Sequence, residues 1–390
     1  MYLSELQLQN YRGFRDLSLI FSPGVNLLFG VNGAGKSSVL DAASHALSYF
    51  RAKLFSKSAA GNEIKADEIT EGTNCSGIQA ALADDMAVYP LFISSTRKGF
   101  PKEKDNNLRS AAAWATPYME SRAAGTPVGY PLLAHYKVHR AIIDIPQRMG
   151  RVRDLEEPLS GYEQSLDGGG NFRGFFAWFR EMEDLENELS RDDHPGHKNY
   201  HSPELDAVRQ ALQAVLPGIT NIRIRRAYQA MVGTKNGVEI SVAQLSDGEK
   251  CYMALVGDIA SRLARLNVQK RYSAAQILNA PGIVLIDELD LHLHTKWQQE
   301  AIRRLPAIFP NIQFIITTHS LALVRELDLM QKEGAIRSER LKYFSLYEAK
   351  NHAIRVEEAT ELENLRHFPA AELHMEQDMK LLRHNGYELP

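Results

Sequence analysis

"LFGVNGAGKSSVLDAA", Leu28 to Ala43, decides how the rest of the chain is read. Gly30, Gly35, Lys36 and Ser37 match the phosphate-loop pattern G-x-x-x-x-G-K-[ST]. In that pattern glycines let successive backbone N–H groups turn toward anionic oxygens, and the next helix adds the donors of its first turn. The surroundings suit this. "VNLLFG" upstream is a short apolar run, as expected of a buried strand, and Val39, Leu40, Ala43, Ala46 and Leu47 downstream recur at helical spacing. The expected triphosphate-binding residues are Gly30, Asn32, Gly33, Ala34, Gly35, Lys36, Ser37 and Ser38. Lys36 is expected to reach the outer phosphates and the Ser37 hydroxyl to ligate Mg²⁺.

Phosphate loops serve many chemistries, so other segments must choose among them. "GIVLIDELD" is an apolar strand that ends in two carboxylates, Asp287 and Glu288. Such a pair beside a phosphate loop suits one acid in the magnesium shell and one polarising a water. That favours hydrolysis over transfer to a second substrate. A solvated acidic turn is the alternative reading, and the apolar run before the pair argues against it. "IQFIITTHS" has the same form, with polar residues only at its C-terminal end.

The remaining segments set the layout. "YLSELQLQNYRGF" reads as a strand, and "FRDLSLIFSPGVNLLFG" as two more around a Pro23-Gly24 turn. "GIQAALADD" suits a strand of a small lobe, and "YPLLAHYKVHRAI" a buried strand leading into a functional loop. "LDGGGNFRGFFAWFREMEDLENELSRDD" becomes a helix with Phe175, Phe176, Phe179 and Met182 on its apolar face and Glu181, Glu183, Asp184, Glu186 and Glu188 making the rest acidic. "SPELDAVRQALQAVLPG" is a helix capped by Ser202 before Pro203. "NIRIRRAYQAMVGTKNGVEISVAQ" is a hairpin turning at Asn236-Gly237, and "EKCYMALVGDIASRLARLN" a strong helix. The expected organisation is residues 1–50 as the N-terminal part of a nucleotide-binding head, 51–220 as a β lobe with a helical insertion, and 221–390 as the C-terminal part of the head.

Bulk properties exclude several classes. The 390 residues are 44% hydrophobic and 24% charged, ordinary for a globular chain, and the formal net charge is −3. No global basicity points to nucleic acid, so such a contact needs a local patch. Two cysteines, Cys75 and Cys251, stand far apart, which argues against a disulfide framework or a thiolate zinc site. No apolar run approaches a membrane span, and the polar opening residues do not form a signal peptide. The expectation is a cytoplasmic chain with no membrane partner.

"QLSDGEK", Gln244 to Lys250, precedes a helix and resembles the signature motif of ABC-type ATPases; Ser246, Gly248 and Glu249 match, and Asp247 replaces a more usual glycine. "ELDLHLH" resembles their D-loop, with Asp290, and "TTHS" their switch histidine, His319. "NYRGF", Asn10 to Phe14, looks like the opening strand of the SMC and RecF branch. The resemblance covers Asn10 to Ser320. It implies an α/β fold, a P-loop ABC-type ATPase head with a mixed sheet, an antiparallel β lobe and a helical insertion. It implies ATP and Mg²⁺ as cofactors and ATP hydrolysis as the activity. It also implies a homodimer or higher homo-oligomer in which each ATP lies between one phosphate loop and the signature of the other copy. Ser246, Gly248, Glu249 and Asp290 would then act in trans. Glu288 would be the general base, Asp287 with Ser37 would hold the metal, Lys36 would stabilise the transferred charge, and His319 would sense the γ-phosphate. Arg12 either positions phosphate or links the opening strand to the loop. The family's glutamine-loop residue is not assignable: "KVHR" stands where it should follow "LLAHY", with Gln147 further on.

The interval from Lys36 to Ser246 is longer than in transporter ATPases and carries no heptad array such as SMC proteins hold there. The compact RecF-like and OLD-like branch remains, and the segment after His319 shows no glutamate followed by a strand-end D-x-D of a fused Toprim nuclease. "HYKVHR", "FRGFFAWFREMEDLENE" and "LIDELDLHLHTKWQ" look like the stand-alone ATPases of anti-phage systems such as Septu and the retron-linked ATPases. That resemblance implies a separate effector, a nuclease or toxin. A RecF-like repair ATPase whose partner is DNA is the alternative. Arg97, Lys98, Lys102, Lys104 and Arg109 either touch DNA phosphates or form a solvated loop. His194, His197 and His201 are either zinc ligands or a polar loop. The Phe175–Phe179 cluster with Trp178 is either helix core or a docking surface.

Overall fold

The computed structural model describes residues 1–138, 157–167, 172–190, 200–216, 218–225, 230–349 and 353–367. In chain order, strands β1 (Tyr2–Tyr11), β2 (Phe14–Ile20) and β3 (Val25–Gly30) lead into helix α1 (Lys36–Phe55). Hairpin β4 (Cys75–Ala83) and β5 (Val88–Thr96) precedes α2 (Arg109–Ala123) and β6 (Leu132–Tyr136). Helices α3 (Phe172–Leu189) and α4 (Pro203–Val215) are followed by β7 (Ile219–Arg225), β8 (Ala230–Lys235) and β9 (Val238–Ser241). Then come α5 (Asp247–Leu266), α6 (Ala274–Leu278), β10 (Gly282–Ile286), α7 (Thr295–Ile308), β11 (Ile312–Thr318), α8 (Leu321–Lys332), β12 (Leu341–Glu348) and β13 (Ile354–Ala359).

A six-stranded sheet in the order β13-β12-β3-β11-β10-β6 organises the molecule. All its pairings are parallel except that of β12 with β13. Every residue of β3, β6, β10 and β11 is buried, which is why these segments read as largely apolar runs. Because the strands run the same way, Gly30, Tyr136, the Asp287–Glu288 pair and His319 all fall at one edge. Ligands of open parallel sheets bind beyond this carboxyl edge. Segment 51–220 is threaded through the fold: β6 is the edge strand beside β10, while β4 and β5 extend an antiparallel sheet of order β2-β1-β4-β5. Buried Gln313 of β11 joins the two sheets, accepting from Leu3 N at 2.8 Å and donating to Leu3 O at 2.9 Å and Ser22 O at 2.7 Å.

Helix α5 is central, with every residue from Tyr252 to Leu266 buried, as expected of a helix surrounded by other elements. Helix α3 docks on it through a close approach. A Cβ on Gly257 would lie 2.4 Å from the Phe175 ring. Phe175, Phe176, Trp178 and Phe179 are all buried, so the aromatic cluster is core. The outer face of α3 departs from expectation. Glu183 and Glu186, read as part of an acidic exterior, are buried. Arg209 of α4 compensates them, with NH2 3.2 Å from Glu183 and NH1 2.8 Å from Glu186, and Glu183 also accepts the N–H of Ile224 at 2.6 Å. Charges enter an interior on such terms, paired and hydrogen-bonded.

Two further boundaries differ from the sequence reading. The opening strand stops at Tyr11 and not at Phe14, because Asn10 and Arg12 adopt left-handed backbone with φ 50° and 48° and the chain reverses there. The expected hairpin is a three-stranded meander, β7-β8-β9. Its Asn236-Gly237 turn has φ 52° and 78°, which matches the strand twist and favours those residue types. Among the described residues no helix is long and apolar enough to cross a membrane.

Candidate functional site

The loop between β3 and α1 is shaped by glycine. Gly35 caps α1 with φ 85°, and a Cβ there would lie 2.5 Å from the Phe14 ring. No side chain caps α1, whereas Ser202, Ser246 and Ser320 cap α4, α5 and α8. The uncapped first turn of α1 therefore presents N–H donors to an external acceptor, which fits an anionic group. Asn32, Gly33 and Ala34 form the loop and Ser38 lies in the first turn. Lys36 folds back and donates to Gly30 O at 2.9 Å and Val31 O at 3.0 Å. Burial pushes its ammonium down to about 8, against the pull of Glu288, Asp287 and Asp290.

Across the loop stand the acids. Ser37 Oγ donates to Asp287 Oδ1 at 3.0 Å, and Thr317 Oγ1 donates to the same oxygen at 2.6 Å. Glu288 has left-handed backbone, φ 49°, and its N–H donates to Thr317 Oγ1 at 2.7 Å. His319 Nε2 lies 3.5 Å from Glu288 Oε1, and its Nδ1 lies 3.4 Å from Lys36 Nζ. Burial, helped by Lys36, lowers the His319 pKa, against the pull of Glu288 and Asp290. Next to it, Thr318 Oγ1 donates to Asp290 Oδ1 at 2.5 Å. Ser320 Oγ donates to Gln298 Oε1 at 2.5 Å, and Gln298 Nε2 donates to Leu293 O at 2.8 Å. A positioned base, a hydroxyl–carboxylate pair of hard oxygens and a buried cation are together the groups that metal-assisted hydrolysis of a phosphoanhydride needs.

The other expected site residues fall into two separate groups. Ser246 and Glu249 bond to each other at the head of α5: Ser246 Oγ accepts from Glu249 N at 3.3 Å, and Glu249 Oε2 accepts from Ser246 N at 2.9 Å and Oγ at 2.8 Å. This is a capping box, which satisfies two of the end donors of α5, and Ser246 is exposed there. A Cβ on Gly248 would lie 2.8 Å from His292 O, so the glycine lets α5 approach the segment after Asp290. Arg12 forms the second of these groups, with NH1 2.7 Å from Asp41 on α1 and NH2 2.8 Å from Glu68. Of its two expected roles, these contacts favour linking the opening strand to the loop helix. A cleft of about 830 Å³ beside it is lined by Arg12, Phe14, Arg15, Asp16, Ile354 and Arg355 and has the size of a small-ligand site.

Sequence reading passed over Thr317, Thr318, Gln298 and Tyr136. The two threonines stood in "TTHS", where only the histidine was taken. Tyr136 closes β6; its carbonyl accepts the N–H of Asp287 at 2.8 Å and its hydroxyl donates to buried Asp258 Oδ2 at 2.8 Å. Arg262 Nε donates to the same carboxylate oxygen at 2.7 Å, so helix α5 is joined to the Asp287 strand through buried charge.

The basic segment and the histidines can be placed only in part. Arg97 donates to Thr73 O and Ile69 O, Lys102 pairs with Asp105 at 3.0 Å, and Lys104 sits 4.0 Å above the Phe92 ring. Three of the five basic residues are thus engaged within the chain. His194, His197 and Gln147 lie outside the described residues. His201 stands near Glu186 and Asp206, and Arg209 already contacts both carboxylates.

Comparison with known proteins shows the family. A family model described as "AAA domain, putative AbiEii toxin, Type IV TA system" matches residues 92–325, and a second, "AAA domain", matches residues 5–110. The chain is 32% identical over 383 residues to "Retron Ec83 probable ATPase" of Escherichia coli, covering 84% of this chain and 70% of that protein. It is 30% identical over 365 residues to "Retron Vc95 probable ATPase" of Vibrio cholerae serotype O1 biovar El Tor, covering 82% and 70%. Among solved structures, "Crystal structure of the SmcHead bound to the C-winged helix domain of ScpA" superposes with TM-score 0.51 at 15% identity over 93% of this chain and 99% of that one. That last likeness is one of fold.

Proposed function

This chain belongs to the AAA-domain ATPase family that includes the retron ATPases, and from that membership we propose that it is the ATP-hydrolysing regulatory subunit of an anti-phage defence complex. The observation that carries the hydrolytic part is the contact set at the sheet edge, where Ser37, Asp287, Glu288, His319 and Lys36 converge. Ser37 and Asp287 are the residues that would hold Mg²⁺, which supplies charge neutralisation on the phosphate oxygens. Lys36 and the α1 N-terminus bind the outer phosphates. Glu288 takes the proton of the attacking water, and His319 donates toward the γ-phosphate. Ser246, Gly248, Glu249 and Asp290 are proposed to complete the site of a second copy. The exposure of Ser246 at the head of α5 supports that reading, since a second copy can reach it there. ATP then closes a dimer, hydrolysis opens it, and the change is passed to a nuclease or toxin bound elsewhere on the chain.

The test is phage protection by the chain together with the genes that neighbour it. Lys36→Ala and Glu288→Gln should each abolish protection while leaving protein levels unchanged, and a neighbouring gene product should copurify with the wild type. Full protection by Lys36→Ala, or purification of this chain alone, contradicts the proposal.

A further inference from the structure

Strand β11 is apolar through Phe314, Ile315 and Ile316 and then carries two threonines that are fully buried. A hydroxyl in a sheet interior must have its donor and acceptor satisfied. Thr317 satisfies both on consecutive residues of the facing turn. Glu288 N–H can only donate, so Thr317 Oγ1 accepts from it at 2.7 Å, and the hydroxyl proton is left for Asp287 Oδ1 at 2.6 Å. The Thr317 carbonyl accepts the N–H of Leu289 at 3.1 Å. One residue therefore grips positions 287, 288 and 289, and the middle one has the left-handed backbone that a non-glycine residue adopts only when its surroundings impose it.

We propose that Thr317 is the positioning residue for the two acids of the ATPase site. Its hydroxyl turns Asp287 Oδ1 toward Ser37, and its acceptor holds the Glu288 backbone so that the Glu288 carboxylate faces His319. The proposal rests on the reading of Asp287 and Glu288 as that acid pair. The single proton of the Thr317 hydroxyl is committed to Asp287 Oδ1, which leaves no donor for a phosphate oxygen. Its contribution therefore falls on turnover and not on nucleotide affinity.

Steady-state hydrolysis of MgATP and binding of a non-hydrolysable ATP analogue, measured on Thr317→Val, Thr317→Ser and Glu288→Gln, test this. Valine keeps the volume and removes both hydrogen bonds, and serine keeps the hydroxyl. Thr317→Val should lose about 10- to 100-fold in kcat, the scale on which outer-shell partners act. Its analogue Kd should stay within about threefold and Thr317→Ser should keep kcat within about threefold, because only the positioning hydroxyl is at issue. Thr317→Val with kcat within about twofold of wild type, or Thr317→Ser as impaired as Thr317→Val, overturns the proposal. An affinity loss that accounts for the whole fall in kcat/KM also overturns it. Should valine prevent folding, Thr317→Ala read against Thr317→Ser decides by the same criteria. An inactive Glu288→Gln beside a fully active Thr317→Val sinks this proposal alone. A Glu288→Gln that hydrolyses normally sinks the acid-pair reading and this proposal with it.

Discussion

Ser37 Oγ donates to Asp287 Oδ1 across 3.0 Å, bringing residues 250 positions apart together as one pair of hard oxygens. Asp287→Asn keeps the shape and removes the charge. It should raise the Mg²⁺ concentration needed for half-maximal hydrolysis by about tenfold or more, as loss of a charged ligand does. A magnesium titration of ATPase activity reads this directly, and an unchanged midpoint would show that Asp287 is not in the metal shell.

Ser246 faces outward from the head of α5, where a second copy could meet it. Light scattering on Glu288→Gln should show a mass shift from monomer to dimer on adding MgATP. Adding Ser246→Arg should abolish the shift and leave nucleotide binding intact, because the bulky side chain stands at the proposed interface and not in the chain's own loop. A monomer in both variants argues against the shared site.

The Arg12–Asp41–Glu68 cluster has a pH signature. Contacts from His45, Lys65 N–H and Arg12 outweigh burial and hold the Glu68 carboxyl well below its ordinary value of 4.5, and Lys137 and Arg12 likewise hold Asp41 below 3.8. A depressed carboxylate pKa contributes stability that is present above the unfolded value and is lost as pH falls through the folded one. Glu68→Gln should therefore lower stability near pH 7 by roughly 2 kcal/mol, and the gap to wild type should close as pH falls below 4.5. Thermal melts from pH 7 to 3 measure it. A gap that stays constant across that range excludes Glu68 as the titrating group.

Gly257 separates a packing effect from a propensity effect. Alanine is the better helix former by about 1 kcal/mol. A Cβ would meet the Phe175 ring at 2.4 Å, and overpacking costs about 1–3 kcal/mol. Gly257→Ala should lower the melting temperature, and adding Phe175→Leu should recover part of the loss. A higher melting temperature for Gly257→Ala would show that α3 does not press on α5 there.

How far the sequence reaches can be judged residue by residue. The loop from Gly30 to Ser38, the strand ending at Asp287 and the cap at Ser202 were legible because each is a local pattern whose mechanism requires neighbouring residues. The apolar runs of β3, β10 and β11 were legible because a strand buried on both faces is mostly apolar, its few polar residues being hydrogen-bonded. Contacts between distant segments were not. No spacing rule places β6 beside β10 or threads segment 51–220 through two sheets. Nor does local pattern show that Glu183 and Glu186 turn inward, since that depends on Arg209 arriving from another helix. Thr317 was unreadable for the same reason: a threonine at a strand end resembles any β-former until Asp287 and Glu288 are seen across from it.

We propose that Glu288 activates water at a site built around Lys36 and Ser37. The most direct test is phosphate release from MgATP by wild type and Glu288→Gln, each checked for nucleotide binding. Wild type should release phosphate in a Mg²⁺-dependent manner, and Glu288→Gln should lose about 100-fold or more with binding retained, the scale expected for removing a general base. Phosphate release at the wild-type rate by Glu288→Gln would contradict it.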